Sequence, residues 1–427
     1  MTGQYVPPAT SRWREGDPPG RRRFARFGSL PLEFGATLPD YQLAYETWGT
    51  LSPARDNAIL IEHAFTGDSH VSGAAGPGHP TPGWWDDVVG PGAAVDTDEW
   101  FVVCANVLGG CQGSTGPSSV APDGQPWGSR WPRISIRDHV NAEVRLAEHL
   151  GIDRWASVIG GSMGGMRALE WLVGHPERVG SAVVVAAGAA ATADQIATQT
   201  AQIQAIVSDP NWQAGDYYVT AAPASESDGV QEGPEAGLAI ARRFAHLSYR
   251  SEEELEDRFG GARSHPTVDT GGAYHSAIPG RDPDATPHDV QSYLDHQVGK
   301  FTRRFDAGSY VTLSDSMSSF DVARGRGSLH EVLDRVSVPV GVAGITSDRL
   351  FPLRLQEELV AHIPTAQLSV IKSAYGHDGF LVESEPVQDL ITTVLRRAGG
   401  IRPGASGAGT EPVAAADAER SSRAVCV

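Results

Sequence analysis

The sequence predicts an α/β fold, a mostly parallel sheet flanked by helices and carrying a helical insertion. Three observations carry this. Short β-branched runs alternate with helical patterns, as strands joined by crossover helices require. Several of those runs are apolar without alternation, the pattern of strands covered on both faces. Between about residues 191 and 320 the alternation stops and helical patterns dominate.

The predicted strands, in order, are Ala58–Glu62, Trp100–Asn106, Trp155–Ile159, Ala182–Ala187, Val338–Ala343 and Gln367–Ile371. Helical patterns Ile136–Leu150 and Gly164–Val173 lie among them, the second stopped by Gly174 with Pro176 two residues on. The insertion reads as helices Ala193–Ser208, Glu235–Tyr249, Glu252–Phe259 and Val290–Phe305, with a Gly/Pro-rich loop at 260–287. Ser328–Val336 then resumes the βα alternation. The expected division is an extended or disordered segment at 1–24, a core formed by 25–188 and 326–398, a helical lid at 189–325, and a disordered Gly/Ala/Ser tail at 399–427. A chain of 427 residues accommodates one large domain with such an insertion, or two domains.

Composition narrows the function. The formal net charge is −18 and no basic stripe offsets it, which argues against nucleic acid as a partner. Arg21–Arg22–Arg23 reads as part of a solvated end. Three cysteines, Cys104, Cys111 and Cys426, make neither a disulfide framework nor a CxxC metal pair, and no metal is expected. The first thirty residues contain no apolar h-region, and Val179–Ala193 falls short of a membrane span. A soluble, cytoplasmic protein is expected.

Gly160-Gly-Ser162-Met-Gly164 follows a predicted strand and precedes a predicted helix. In that setting a GxSxG pattern has a physical reason. The serine occupies strained backbone at a sharp turn, and neighbours lacking a Cβ let strand and helix approach. Ser162 is then a nucleophile at the carboxyl end of the sheet, and the Met163 N–H and the helix dipole favour a developing oxyanion. Serine needs a base, and the base an orienting acid. Asp348 and His377 each follow a later strand, 29 residues apart, the length of one strand–helix unit. Asp378 competes as the acid, but a carboxylate adjacent in sequence is poorly placed for a buried bond to the imidazole. The loop His63–His70 follows the first predicted strand, with Phe65 as the second oxyanion donor.

Several segments together resemble the homoserine O-acyltransferases, particularly homoserine O-acetyltransferase, within the α/β-hydrolase superfamily. They are His63-Ala-Phe-Thr-Gly-Asp-Ser-His70, Asn106-Val-Leu-Gly-Gly-Cys-Gln-Gly-Ser-Thr-Gly-Pro117, Gly160-Gly-Ser-Met-Gly-Gly165, Asp348-Arg-Leu-Phe-Pro352 and Tyr375-Gly-His-Asp-Gly379. In the insertion, Ser292-Tyr-Leu-Asp-His-Gln297 and Lys300–Tyr310 add to the likeness, which runs from about residue 25 to 395.

The resemblance implies an α/β-hydrolase fold and ping-pong transfer of an acetyl group from acetyl-CoA, a substrate and not a bound cofactor, to the hydroxyl of L-homoserine, a step of methionine biosynthesis. It assigns substrate binding to Arg242, Tyr249, Asp378 and Thr66, and implies a homodimer through the lid helices. Positions 242 and 249, seven apart, share a helix face within about 20°. Ile240, Phe244 and Leu247 form an apolar stripe roughly opposite, expected to pack while the polar face lines a cavity. The triad by itself does not separate a transferase from an esterase. Homoserine O-succinyltransferase, serine O-acetyltransferase and a general ester hydrolase remain the rival enzymes, and a silent binding protein the rival of another class.

Overall fold

The computed structural model describes residues 12–218, 233–260 and 289–399. Its centre is an eight-stranded sheet: β1 Arg23–Phe27, β2 Tyr41–Trp48, β3 Ala58–Glu62, β4 Phe101–Ala105, β5 Ser157–Gly161, β6 Ala182–Val185, β7 Val340–Ile345 and β8 Ala366–Ile371. The spatial order is β1-β2-β4-β3-β5-β6-β7-β8. The first two pairings are antiparallel, Arg23 opposite Tyr45 and Tyr45 opposite Ala105, and all later ones are parallel.

Successive residues of the central strands point to opposite faces. Leu60, Val103, Val158, Val184 and Val342 pack on one side with α1 Ile136–Leu150 and α2 Met163–Gly174. Ile59, Ile61, Val102, Ile159, Val183 and Val185 pack on the other, against Val387, Leu390, Ile391 and Val394 of the C-terminal helix Ser384–Arg397. Helix α1 starts where Ser135 and Asp138 close a reciprocal capping box and stops at Gly151 in the left-handed region.

Between β6 and β7 lie the helices of the insertion: α3 Ala193–Val207, α4 Glu235–Tyr249, α5 Glu252–Phe259, α6 Asp289–Thr302 and α7 Ala307–Ser318. The helix expected over Val290–Phe305 is shorter. Asp306 breaks away from it and caps α7 by accepting the Ser309 N–H. Tyr217 and Tyr218 donate to the same carboxylate at 2.8 and 2.7 Å, tying α7 to the segment after α3.

Strands β1 and β2 were not expected. In β2 the polar Gln42 and Glu46 interrupt the apolar run, and Glu46 is nevertheless fully buried. Residues 12–22, grouped above with an extended or disordered end, are tied to the rest of the chain at both ends, although most of the residues between are exposed. The Trp13 N–H donates to Cys111 O, and buried Arg22 donates to Gly78 O at 2.8 Å. Arg22 is therefore not a solvated cation. The first eleven residues, the loop at 260–287 apart from Gly260, and the tail apart from Gly399 lie outside the described residues. No described helix is long and apolar enough to cross a membrane.

Candidate active site

Strand β5 ends at Gly161 and α2 begins at Met163, leaving Ser162 alone to make the turn, at φ 58° and ψ −123°. Positive φ is costly for a residue with a Cβ, and here the surroundings enforce it. A Cβ on Gly160 would overlap the carbonyl of Gly164, and one on Gly164 would overlap the carbonyl of Glu62. Both glycines of the motif are thus required by backbone contact. The Ser162 N–H is held by Val185 O at 2.9 Å.

Two loops at the same sheet edge complete a relay. His377 Nε2 lies 2.8 Å from Ser162 Oγ, and His377 Nδ1 lies 2.7 Å from Asp348 Oδ2. The other carboxylate oxygen of Asp348 accepts the N–H groups of Leu350 and Phe351, both at 2.8 Å, so the acid is fixed before it meets the imidazole. The Phe351 ring stacks on His377 with centroids 5.1 Å apart. Burial opposes protonation of His377, but the carboxylates of Asp348 and Asp378 outweigh it and raise its pKa. Asp348, not Asp378, partners the imidazole.

Phe65 follows β3 and Met163 opens α2. The contact of Gly164 with Glu62 O and His63 O brings those two backbone segments together beside Ser162. Arg167 of α2 reinforces the junction by donating to His63 O at 3.3 Å.

The lid supplies the other wall. Arg242 of α4 is buried, donates to Thr66 Oγ1 at 3.4 Å, and lies over the rings of Phe301 and Tyr249 at 4.4 and 5.7 Å. The Tyr249 ring is 6.0 Å from that of His377. Burial pushes the Tyr249 hydroxyl up to about 12, so it stays a neutral donor. Asp378 is buried beside the catalytic-type histidine, with Arg250 Nε 3.4 Å from its Oδ2. Arg242, Tyr249, Thr66 and Asp378 therefore converge on the relay. The apolar stripe does not behave as expected: Ile240, Phe244 and Leu247 are 46 %, 46 % and 43 % exposed. Leu238, Ala241, Ala245 and the Arg242 stem fill the inward face instead, because small residues let α4 approach α3 closely. Arg243 turns aside to pair with Asp295.

Residues 57–384 match the family described as the alpha/beta hydrolase fold. A homoserine O-acetyltransferase of Mycobacterium avium is 55 % identical over 392 residues, which cover 91 % of this chain and 94 % of the relative. The chain belongs to the homoserine O-acetyltransferase family. Among solved structures, the homoserine O-acetyltransferase of Bacillus anthracis aligns with a TM-score of 0.73 at 26 % identity, covering 88 % of this chain and 98 % of that one. Esterase E22 aligns equally well, with a TM-score of 0.75 at 25 % identity over 88 % and 99 % of the two chains.

Within this member of the homoserine O-acetyltransferase family, two buried polar groups of side chains escaped the sequence reading. Arg167 pairs with Glu62 and Glu143 beneath the Ser162 turn, and Trp171 Nε1 donates to both carboxylates at 3.1 Å. Only the position of Arg167, five residues after Ser162 on a helix whose one other charged residue is Glu170, hints at it. The second is Glu46, His70 and His79, the cluster among the described residues whose ligand-type atoms lie close enough to face one ion. Its two imidazoles are stacked, centroids 3.8 Å apart and planes 8° apart. A metal must lie near the plane of each ring that binds it, and parallel stacked rings offer no common point. A hydrogen bond between His70 Nδ1 and the buried Glu46 carboxylate, 3.1 Å from Oε2, fits the arrangement better, while His79 Nε2 accepts the Arg21 N–H at 3.0 Å.

Proposed function

We propose that the protein transfers the acetyl group of acetyl-CoA to the hydroxyl of L-homoserine through an acetyl-Ser162 intermediate. The observation that carries this reading is the pair of opposite charges facing the relay. Buried Arg242 suits the acceptor's carboxylate, and buried Asp378 suits its ammonium. A hydrolase of simple esters has no need of both.

In the first half-reaction His377 Nε2 takes the Ser162 proton as Oγ attacks the thioester carbon. The Phe65 and Met163 N–H groups stabilise the resulting oxyanion; losing one such donor costs about 2.7–4 kcal/mol of activation free energy. Collapse breaks the C–S bond, and His377 returns the proton to the leaving thiolate. In the second, His377 takes the proton of the homoserine hydroxyl, whose oxygen attacks the acetyl-serine. Breaking the acyl bond to Ser162 releases O-acetylhomoserine, and the proton goes back to Oγ. Asp348 orients the imidazole and offsets its charge throughout. Tyr249 and Thr66 help hold the acceptor, while the lid helices keep water from the acetyl-enzyme.

No metal or resident cofactor enters this chemistry, and acetyl-CoA is a substrate. We further propose that the enzyme works in the cytoplasm as a step of methionine biosynthesis. It would act as a homodimer through the lid, where the exposed stripe of Ile240, Phe244 and Leu247 gives a second copy an apolar face to cover. Neither nucleic acid nor membrane is a proposed partner.

The test is to follow CoA or phenol release from acetyl-CoA, succinyl-CoA and an aryl acetate, with L-homoserine, L-serine or neither. Homoserine-dependent CoA release from acetyl-CoA, together with an acetylated wild type and an unacetylated Ser162→Ala by intact mass, is the expected result. Release from the aryl ester alone would make the protein a hydrolase, as its similarity to esterase E22 allows.

A further inference from the structure

Where α4 ends and α5 begins, the lid touches the loop that carries His377. Ser251 donates from its hydroxyl to Ala374 O. Gly376 has a φ of 64°, and a Cβ there would collide with the Tyr249 carbonyl. Between these contacts stands Arg250, fully buried. Its Nε is 3.4 Å from Asp378 Oδ2, and its Nη1 is 3.5 Å from Glu254 Oε1. Neither its Nε nor its Nη2 makes a hydrogen bond of good geometry, although both are buried. A guanidinium held in this way offers the carboxylate both its charge and the fixed placement of its planar Nε edge. A role confined to joining α4 and α5 needs only the Glu254 contact and leaves the approach to Asp378 unexplained.

We infer that Arg250 is a positioning residue for the acceptor amino acid, holding the Asp378 carboxylate in place as the counter-charge for the substrate's ammonium. This rests on the acceptor role given to Asp378 under the proposed function. Asp378 is enclosed by charged and titratable groups from several elements: Arg242 and Tyr249 on α4, Arg250 at the corner, Glu254 on α5, Tyr293 on α6 and neighbouring His377. Burial raises the Asp378 pKa, with Glu254 adding to it, while Arg250, His377 and Arg242 oppose the rise, Arg250 most strongly. Glu254 is itself shared with Arg258, at 3.6 Å, which leaves more of the Arg250 charge for Asp378. Without Arg250 a larger fraction of Asp378 is protonated, and a neutral acid is a poor partner for an ammonium.

The experiment compares wild type, Arg250→Gln and Arg250→Lys. Three quantities are measured: acetyl loading from acetyl-CoA by intact mass, kcat and KM for L-homoserine across neutral pH, and the preference for L-homoserine over 4-hydroxybutyrate, which lacks the amine. For the glutamine variant, acetyl loading stays near the wild-type rate while homoserine KM rises about tenfold, and the preference falls by about the same factor. Its KM recovers as pH rises, because Asp378 now ionises at higher pH. The lysine variant keeps the charge but loses the Nε facing Asp378, so its preference falls by about threefold. The preference is a ratio and does not depend on how much of a sample is folded, so the lysine variant decides the matter if the glutamine variant does not fold.

An unchanged preference in either variant overturns the inference, as does an equal loss of acetyl loading and homoserine turnover. A wild type that acetylates itself and is discharged by homoserine leaves the proposed function standing in those cases. A wild type that fails at either step overturns both.

Discussion

His377 Nε2 sits 2.8 Å from Ser162 Oγ although 215 residues separate them in sequence. The whole lid lies in that interval, and the imidazole is reached from the loop after the last strand. The carboxylates of Asp348 and Asp378 raise the His377 pKa above its ordinary value of 6.5, and the base works only when neutral. Acetylation of Ser162 should therefore fall as pH drops, with an apparent pKa above 6.5. Asp348→Asn should slow acetylation by about 10⁴-fold and move that limb to lower pH. The pH profile of the acetylation rate, measured by rapid quench, tests both. The same shift has a stability consequence: protonated His377 favours the folded state below about pH 6.5, and this contribution disappears as pH rises through the folded pKa.

Arg242→Ala should raise the homoserine KM at least about tenfold while leaving acetyl loading nearly intact. Arg242→Lys should recover little, because the guanidinium both donates to Thr66 Oγ1 and lies over the Phe301 ring, its Cζ 4.4 Å from the centroid. Steady-state kinetics with both substrates varied distinguishes these outcomes; a loss confined to acetyl loading contradicts the acceptor role.

Arg167→Met should destabilise the fold by about 3–5 kcal/mol, since it strands Glu62 and Glu143 as buried carboxylates. Burial, and then the neighbouring Glu143, already hold the Glu62 pKa far above the usual carboxylate range, with Arg167 the main opposing influence. In the variant at least one carboxylate stays protonated, and stability should fall further as pH rises and ionises it. Urea denaturation midpoints at acidic and neutral pH measure this. Equal losses at the two pH values would contradict the stranded-carboxylate account.

Phe244→Glu should leave the fold intact and give a monomer, because the residue is 46 % exposed on the stripe offered to a second copy. Light scattering coupled to size exclusion gives the mass directly. An unchanged dimer would locate the interface elsewhere.

The tight turn at Ser162 was legible in the sequence because its constraint is local. Glycines at 160 and 164 flank Ser162, and the strand and helix that pinch it adjoin it in the chain. Five of the six expected strands and the Ile136–Leu150 helix were legible for a similar reason, as apolar runs and periodicity report burial directly, whereas the sixth, β8, is a mostly exposed strand at the sheet edge. Strand β2 was not, since Glu46 is buried by stacked histidines that lie 24 and 33 positions away and a polar residue hides the run, and in β1 two arginines on a partly exposed edge strand hide it likewise. The stripe on α4 was read in the wrong direction. A helical period shows that two faces differ, but which one turns inward depends on what the rest of the chain presents to them.

Local chemistry along the chain was thus enough to single out a hydroxyl, an imidazole and two candidate carboxylates, with Asp348 favoured over Asp378. Tertiary structure decided which carboxylate meets His377: Asp348, held by two backbone amides, rather than its neighbour Asp378, which faces Arg250 from the lid. The reason is geometric. Adjacent side chains diverge along the backbone, so a residue 29 positions away can reach an imidazole that the next residue cannot.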